Sequence, residues 1–156
     1  MRVGTGVDVH AFSADTPLWL GCLQWPGEAG LAGHSDGDAV AHALCDAMFS
    51  AAGLGDMGSN FGTDRPEFAN ASGEQFLVAA EKALKSAGFS LINASVTVIG
   101  NAPKIAPRRA EIQQRLSQIL NCEAISVSGT TTDGLGFTGN GEGIAVIATV
   151  LVAANA

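Results

Sequence analysis

Asp8 and His10, two residues apart, and His42 farther along are the side chains of this sequence best suited to hold a metal ion. All three histidines, His10, His34 and His42, fall within the first 42 residues. On a strand, Asp8 and His10 leave the same face. One carboxylate and two imidazoles leave the fourth position of a tetrahedral ion open, as catalytic zinc sites require. Substrate oxygens bind at such open positions. His34 precedes an expected helix N-terminus, where it could hydrogen-bond an anion beside free backbone N–H groups. On that helix Asp38 and Asp46 flank His42 by one turn, and either could accept the second ring N–H of a metal-bound histidine. Asp36 and Asp38 also have a plainer role, as carboxylates satisfying free amides at the helix start, and for Asp36 that role is the one expected.

A second cluster runs from Gly129 to Gly143. Thr130, Thr131 and Thr132 offer three successive hydroxyls, and the surrounding glycines allow backbone to approach phosphate oxygens closely. Asp133 could hold a hard cation such as Mg²⁺ through that phosphate. No Gly-Lys-Ser/Thr follows, so this is not a Walker loop. Gly55-Asp56-Met57-Gly58 and Phe61-Gly62-Thr63-Asp64 form a third group, and Ala102-Pro103-Lys104 a rigid turn with a cation. Each of these is weak by itself, since Asp and Gly are common turn residues.

The elements that must position these groups can be read from pattern. Arg2 to Val9 reads as a strand, weakened by Gly4 and Gly6, and Leu18 to Leu23 as a second short strand. Pro26 to Gly33 reads as a loop. Asp36 to Ala52 reads as a helix capped by Ser35 or Asp36 and ended by Gly53. Leu54 to Asn70 reads as loop. Ser72 with Gln75 is a capping-box pattern opening a helix that stops at Gly88. Ser95 to Ile99 alternates as a strand. Pro107 suits a first helical turn, and that helix ends near Asn121. Ile125 to Thr130 and a run from Ile144 complete the strands. Alternating strands and helices imply a two-layer α/β (α+β) sandwich, a mixed β-sheet with helices on one face, in a single domain over residues 1–156.

Composition narrows the function class. The 156 residues are 47% hydrophobic and only 15% charged, a lean surface that suits burial against other subunits. Net charge is −7, and the eight Lys and Arg form no stripe, which argues against nucleic acid or an anionic membrane as partner. Three scattered cysteines, Cys22, Cys45 and Cys122, fit reduced thiols in the cytoplasm. The N-terminus has no apolar signal core, and the longest apolar stretch is too short for a bilayer.

Taken in order, Gly6-Val7-Asp8-Val9-His10, His34-Ser35-Asp36-Gly37-Asp38, His42-Ala43-Leu44, Gly55-Asp56-Met57-Gly58, Ala102-Pro103-Lys104 and Thr130-Thr131-Thr132-Asp133 resemble the 2-C-methyl-D-erythritol 2,4-cyclodiphosphate synthase family. The resemblance spans nearly the whole chain. It implies conversion of 4-diphosphocytidyl-2-C-methyl-D-erythritol 2-phosphate to the cyclic diphosphate with release of CMP, in the non-mevalonate isoprenoid pathway. It implies zinc on Asp8, His10 and His42, Mg²⁺ or Mn²⁺ with the diphosphate, and His34 and Thr131 as transition-state stabilisers. Ser35, Asp56 and Gly58 are implied around the methylerythritol portion, with Val9, Met57, Phe61 and Asp64 as further substrate contacts. Gly100, Asn101, Ala102, Pro103, Lys104, Ile105 and Ala106, with Thr130 to Asp133 and Phe137, are implied around the cytidine diphosphate. A homotrimer with sites between subunits is implied too. Three departures stand out: Gly62 to Asp64 differ from the family's usual Phe-Pro-Asp-Thr-Asp, Asp133 stands where Glu is common, and Asn140 where Arg often follows Thr-Gly. The metal site alone equally suits a zinc phosphohydrolase, and a non-catalytic nucleotide-binding trimer is the remaining alternative.

Overall fold

The computed structural model describes residues 1–62 and 64–155. The chain begins with a long strand, β1 (Arg2–Leu20), and turns at Gly21 and Cys22 into β2 (Leu23–Leu31). Helix α1 (Ala39–Ala52) follows, then short α2 (Met57–Phe61), a 3₁₀ turn at Pro66–Phe68, and α3 (Gly73–Ser86). Strand β3 (Phe89–Ile99), a 3₁₀ turn at Ala106–Arg108, α4 (Arg109–Leu120), β4 (Ile125–Thr130), α5 (Gly136–Gly139) and β5 (Gly143–Ala154) complete it. The sheet is mixed, in the order β2-β1-β5-β3-β4, with β3 and β4 parallel and the other pairs antiparallel.

One face of the sheet carries the core. Along β5, Ile144, Val146, Ala148, Val150 and Val152 are buried against the helices, joined by Ala94, Val96 and Val98 of β3. The alternate residues Val3, Val7, Val9 and Ile147 point to the open face and are exposed. Helix α1 is buried nearly all round, as a helix with no polar face must be. It lies tight on β1 because Gly4 and Gly6 have no side chains there. A Cβ on Gly4 would overlap the Ala47 carbonyl, and one on Gly6 the Ala43 carbonyl. The two glycines that weaken the strand pattern are thus what lets the helix dock.

Several boundaries differ from the sequence reading. Leu18 belongs to β1, and Pro26 to Leu31, expected as loop, form the end of β2. β2 is the sheet's edge, where proline costs no ladder bond, and its pairing with β1 is broken by irregularities around Pro17. α1 starts at Ala39, later than expected, because its cap is Asp38 rather than Ser35 or Asp36. The Asp38 carboxylate is fully buried and accepts from the N–H groups of Val40, Ala41, Gly21 and Cys22, binding the β1–β2 turn to the helix start. Asp36 instead accepts from the Asp38 and Gly73 N–H groups, tying this loop to α3. The stretch from Leu54 to Asn70 contains α2 and a 3₁₀ turn where loop is expected. The capping box of Ser72 with Gln75, the left-handed Gly53 cap of α1 and β4 match the pattern.

Candidate metal centre and adjoining cavities

Strand β1 presents Asp8 and His10 toward α1, and the close approach at Gly6 brings His42 to meet them. Their ligand atoms all lie within 4.8 Å of one another. Asp8 Oδ2 is 2.6 Å from His10 Nδ1 and 3.5 Å from His42 Nδ1. The 2.6 Å approach lacks hydrogen-bond angles, so Asp8 Oδ2 and His10 Nδ1 are buried polar atoms without a hydrogen-bond partner. Such orphaned atoms are costly unless something satisfies them. A divalent cation does so, and the carboxylate with two imidazoles is a fitting donor set. Burial pushes the Asp8 carboxyl up, but the rings of His10 and His42 outweigh it and hold the pKa below the ordinary 3.8. Burial lowers the His42 pKa, and Asp8, with smaller help from Asp38 and Asp36, raises it above the ordinary imidazole value.

The other ring nitrogen of His42 has a partner the sequence did not suggest. His42 Nε2 is 3.2 Å from Ser35 Oγ. The expected acceptors are engaged elsewhere: Asp38 in the cap, and Asp46 with the Met57 N–H at 2.7 Å. Nothing in the spacing could have revealed Ser35, because it lies on the loop before the helix and folds back over it.

A cavity of about 560 Å³ opens beside the three ligands. His10 and His42 line it with His34, Ser35, Met57, Gly58 and Phe61. Its far wall is aromatic: Phe61 packs on Phe68 and Phe76 at ring-centroid distances of 4.5 and 5.1 Å, and Phe76 meets His42 edge-on. Phe68, Phe76 and Arg65 were not nominated from the sequence.

Asp56 and Asp64 line no part of this cavity. Asp56 caps α2, accepting from Ser59 N at 2.8 Å, and that N–H lowers its pKa. Thr63 lies outside the described residues. Val9 faces the opposite side of the sheet.

A second, smaller cavity of about 160 Å³ lies at the same end of the sheet. Gly100, Pro103, Lys104, Ile105, Ala106, Thr130 and Thr131 line it, together with Arg109, which the sequence did not single out. Asn101 and Ala102 are not among its lining residues, and Asn101 donates to the Gly139 carbonyl. Thr132, Asp133 and Phe137 also stay outside both cavities. Thr132 Oγ1 bonds the Leu135 carbonyl and Thr138 Oγ1, and Thr131 Oγ1 donates to Asp133 Oδ1 at 3.3 Å. Among the described residues the two cavities share no lining residue, so His34 and Thr131 line separate cavities of one chain. Among the described residues no helix is long and apolar enough to cross a membrane.

Comparison with known proteins finds relatives in both sequence and fold. The chain is 57% identical over 152 residues to the bifunctional enzyme IspD/IspF of Clavibacter michiganensis subsp. michiganensis, covering 97% of this chain but 37% of that protein. It is 52% identical to the 2-C-methyl-D-erythritol 2,4-cyclodiphosphate synthase of Acidothermus cellulolyticus, covering 97% of this chain and 93% of the relative. Among solved structures, the bifunctional IspDF of Campylobacter jejuni superposes with a TM-score of 0.91 at 39% identity, over 97% of this chain and 42% of that one. The Plasmodium falciparum IspF–CDP complex superposes with a TM-score of 0.86 at 29% identity, over 99% and 97%. This chain thus spans well under half of the bifunctional relatives and nearly all of the single-function ones. A model of the YgbB family matches residues 1–153, and the chain belongs to that family.

Proposed function

We propose that the chain is a 2-C-methyl-D-erythritol 2,4-cyclodiphosphate synthase. It closes 4-diphosphocytidyl-2-C-methyl-D-erythritol 2-phosphate into the cyclic diphosphate, with loss of CMP. The observation that carries this reading is the Asp8–His10–His42 group, with its orphaned donor atoms, opening onto a cavity lined by His34. Relatives of nearly full length that bear the synthase name support it.

The substrate contains its own nucleophile. An oxygen of the 2-phosphate attacks the β-phosphorus, the bond from that phosphorus to the bridging oxygen breaks, and CMP leaves with the electron pair. The protein's work is therefore positioning and charge stabilisation. Asp8, His10 and His42 would hold a zinc ion, which would supply positive charge beside the diphosphate oxygens. Ser35 holds the His42 ring in place. His34 donates to phosphate oxygens as charge builds, and Ser35, Met57, Gly58 and Phe61 enclose the methylerythritol. Lys104, Thr130 and Thr131 receive the cytidine diphosphate, and Asp133 would support a Mg²⁺ or Mn²⁺ ion brought with it.

Because the two cavities are separate in one chain, we place the complete site between subunits of a homotrimer. The open, apolar sheet face of Val3, Val7, Val9 and Ile147 supports burial in such an assembly. Three unpaired, buried cysteines support action in the cytoplasm.

The test is incubation with the diphosphocytidyl substrate, followed by phosphorus NMR. A cyclic diphosphate with CMP is expected. Ring-opened phosphates would instead mark a phosphohydrolase, and no turnover a binding protein.

A further inference from the structure

The sequence has eight lysines and arginines against a net charge of −7, so the cations available to a polyanionic substrate are few. Four of the eight are engaged elsewhere. Arg108 pairs with Glu111 and reaches the Gln24 carbonyl. Arg115 pairs with Glu74, and Lys85 with Glu81. Arg2 bonds the Ala52 carbonyl and lies over the Phe89 ring. Lys82 lines neither cavity, while Lys104 and Arg109 line the second. Among the described residues, Arg65 alone brings a permanent positive charge to the cavity beside the metal ligands.

Its backbone is held, while its head group is only loosely paired. Arg65 N donates to the Gly62 carbonyl at 2.9 Å, and its own carbonyl accepts from Phe68 N at 3.0 Å. The carboxylate near its guanidinium is Glu67, at 3.8 Å, with both side chains about half exposed. A pair that long and that wet is weak, so an anion in the cavity can displace it.

We propose that Arg65 binds the 2-phosphate of the substrate and aims it at the β-phosphorus. The inference rests on the synthase reading above. There the diphosphate goes to the metal ligands, and the phosphomonoester is the anion left without a partner. A guanidinium offers two parallel N–H donors that match phosphate oxygens, which an ammonium cannot do.

The test compares two ligands on the metal-loaded protein: the full substrate, and 4-diphosphocytidyl-2-C-methyl-D-erythritol, which lacks the 2-phosphate. For Arg65→Gln the dissociation constant of the full substrate should rise roughly 10- to 100-fold. That of the ligand lacking the 2-phosphate should stay unchanged, as should metal content and circular dichroism. Arg65→Lys should recover part of the loss, and Glu67→Gln should tighten binding of the full substrate alone. Unchanged binding in Arg65→Gln, or equal weakening of both ligands, would overturn the assignment. A wild-type protein that binds the full substrate but releases no cyclic product would overturn the synthase reading, while the ligand comparison still decides the role of Arg65.

Discussion

Ser35 Oγ lies 3.2 Å from His42 Nε2, while Nδ1 of the same ring faces Asp8. The hydroxyl thus fixes which nitrogen is presented to the metal group. Removing a partner that orients a ligand typically costs 10- to 100-fold in metal affinity. Ser35→Ala should show a loss of that order in a metal-competition titration, with unchanged circular dichroism. Undiminished affinity would mean the contact has no orienting role.

His42→Ala tests the ligand set itself. Most of the bound metal and the activity should disappear, while the fold persists, because 156 residues bury a core that does not depend on the ion. Elemental analysis of the purified variant decides it. A full equivalent of metal would remove His42 from the set.

Gly6→Ala tests the docking of α1. The new methyl would overlap the Ala43 carbonyl, so the helix must lift from β1. We expect a loss of roughly 1–3 kcal/mol, with weaker metal binding because His42 moves with the helix. Gly27→Ala is the control: nothing lies near a Cβ there, so only its positive φ should cost, about 1 kcal/mol. Equal metal affinity in both variants would disprove the link between docking and ligand geometry.

Asp38 gives a pH signature. Burial raises its pKa above 3.8, and the amides of Cys22, Ala41 and Gly21 offset this only in part. The native state therefore holds the proton more tightly than the unfolded one. This group's contribution to stability is full below about 3.8 and falls as pH rises through the raised native value. Asp38→Asn should lose roughly 1–3 kcal/mol at neutral pH, since its amide nitrogen faces N–H donors, and should flatten that part of the profile. Tm against pH for both proteins checks it, and parallel profiles would contradict the shift.

The proposed homotrimer predicts complementation. His42→Ala damages the metal cavity and Thr131→Ala the second one, so each alone should be nearly inactive. Co-expressed, they form mixed trimers in which some interfaces keep both halves intact, and activity should return. Mixed trimers shown by mass spectrometry to exist, yet inactive, would place both halves in one subunit.

How much of this was legible in the sequence depended on the range of the forces involved. The Ser72–Gln75 capping box and strand β4 are local patterns, and both could be read directly. Asp8 and His10 were legible because strand periodicity alone puts them on one face. The end of β2 was hidden because Pro26 and its glycines mimic a loop, and only its place at the sheet edge lets them stay in a strand. Asp38 was legible as a helix-start carboxylate but not as the cap in preference to Ser35 or Asp36, because that choice depends on the amides of Gly21 and Cys22, brought in by tertiary folding. Ser35 against His42, and Arg65 in the cavity wall, arise from loops folding back, which leaves no periodic trace.

The proposed ligand set draws Asp8 and His10 from a strand and His42 from the helix lying over it. Any fluctuation that lifts α1 away from β1 would therefore also release an ion bound by these three residues. Metal concentration then acts as a dial on local opening. An ion held at a hundred times its dissociation constant would disfavour that opening by about 2.7 kcal/mol. Amide hydrogens in the middle of α1 should exchange more slowly in step with metal occupancy, while those of α4, which carries no ligand, keep their own pace. Exchange rates in one helix thus become a record of how full the site is.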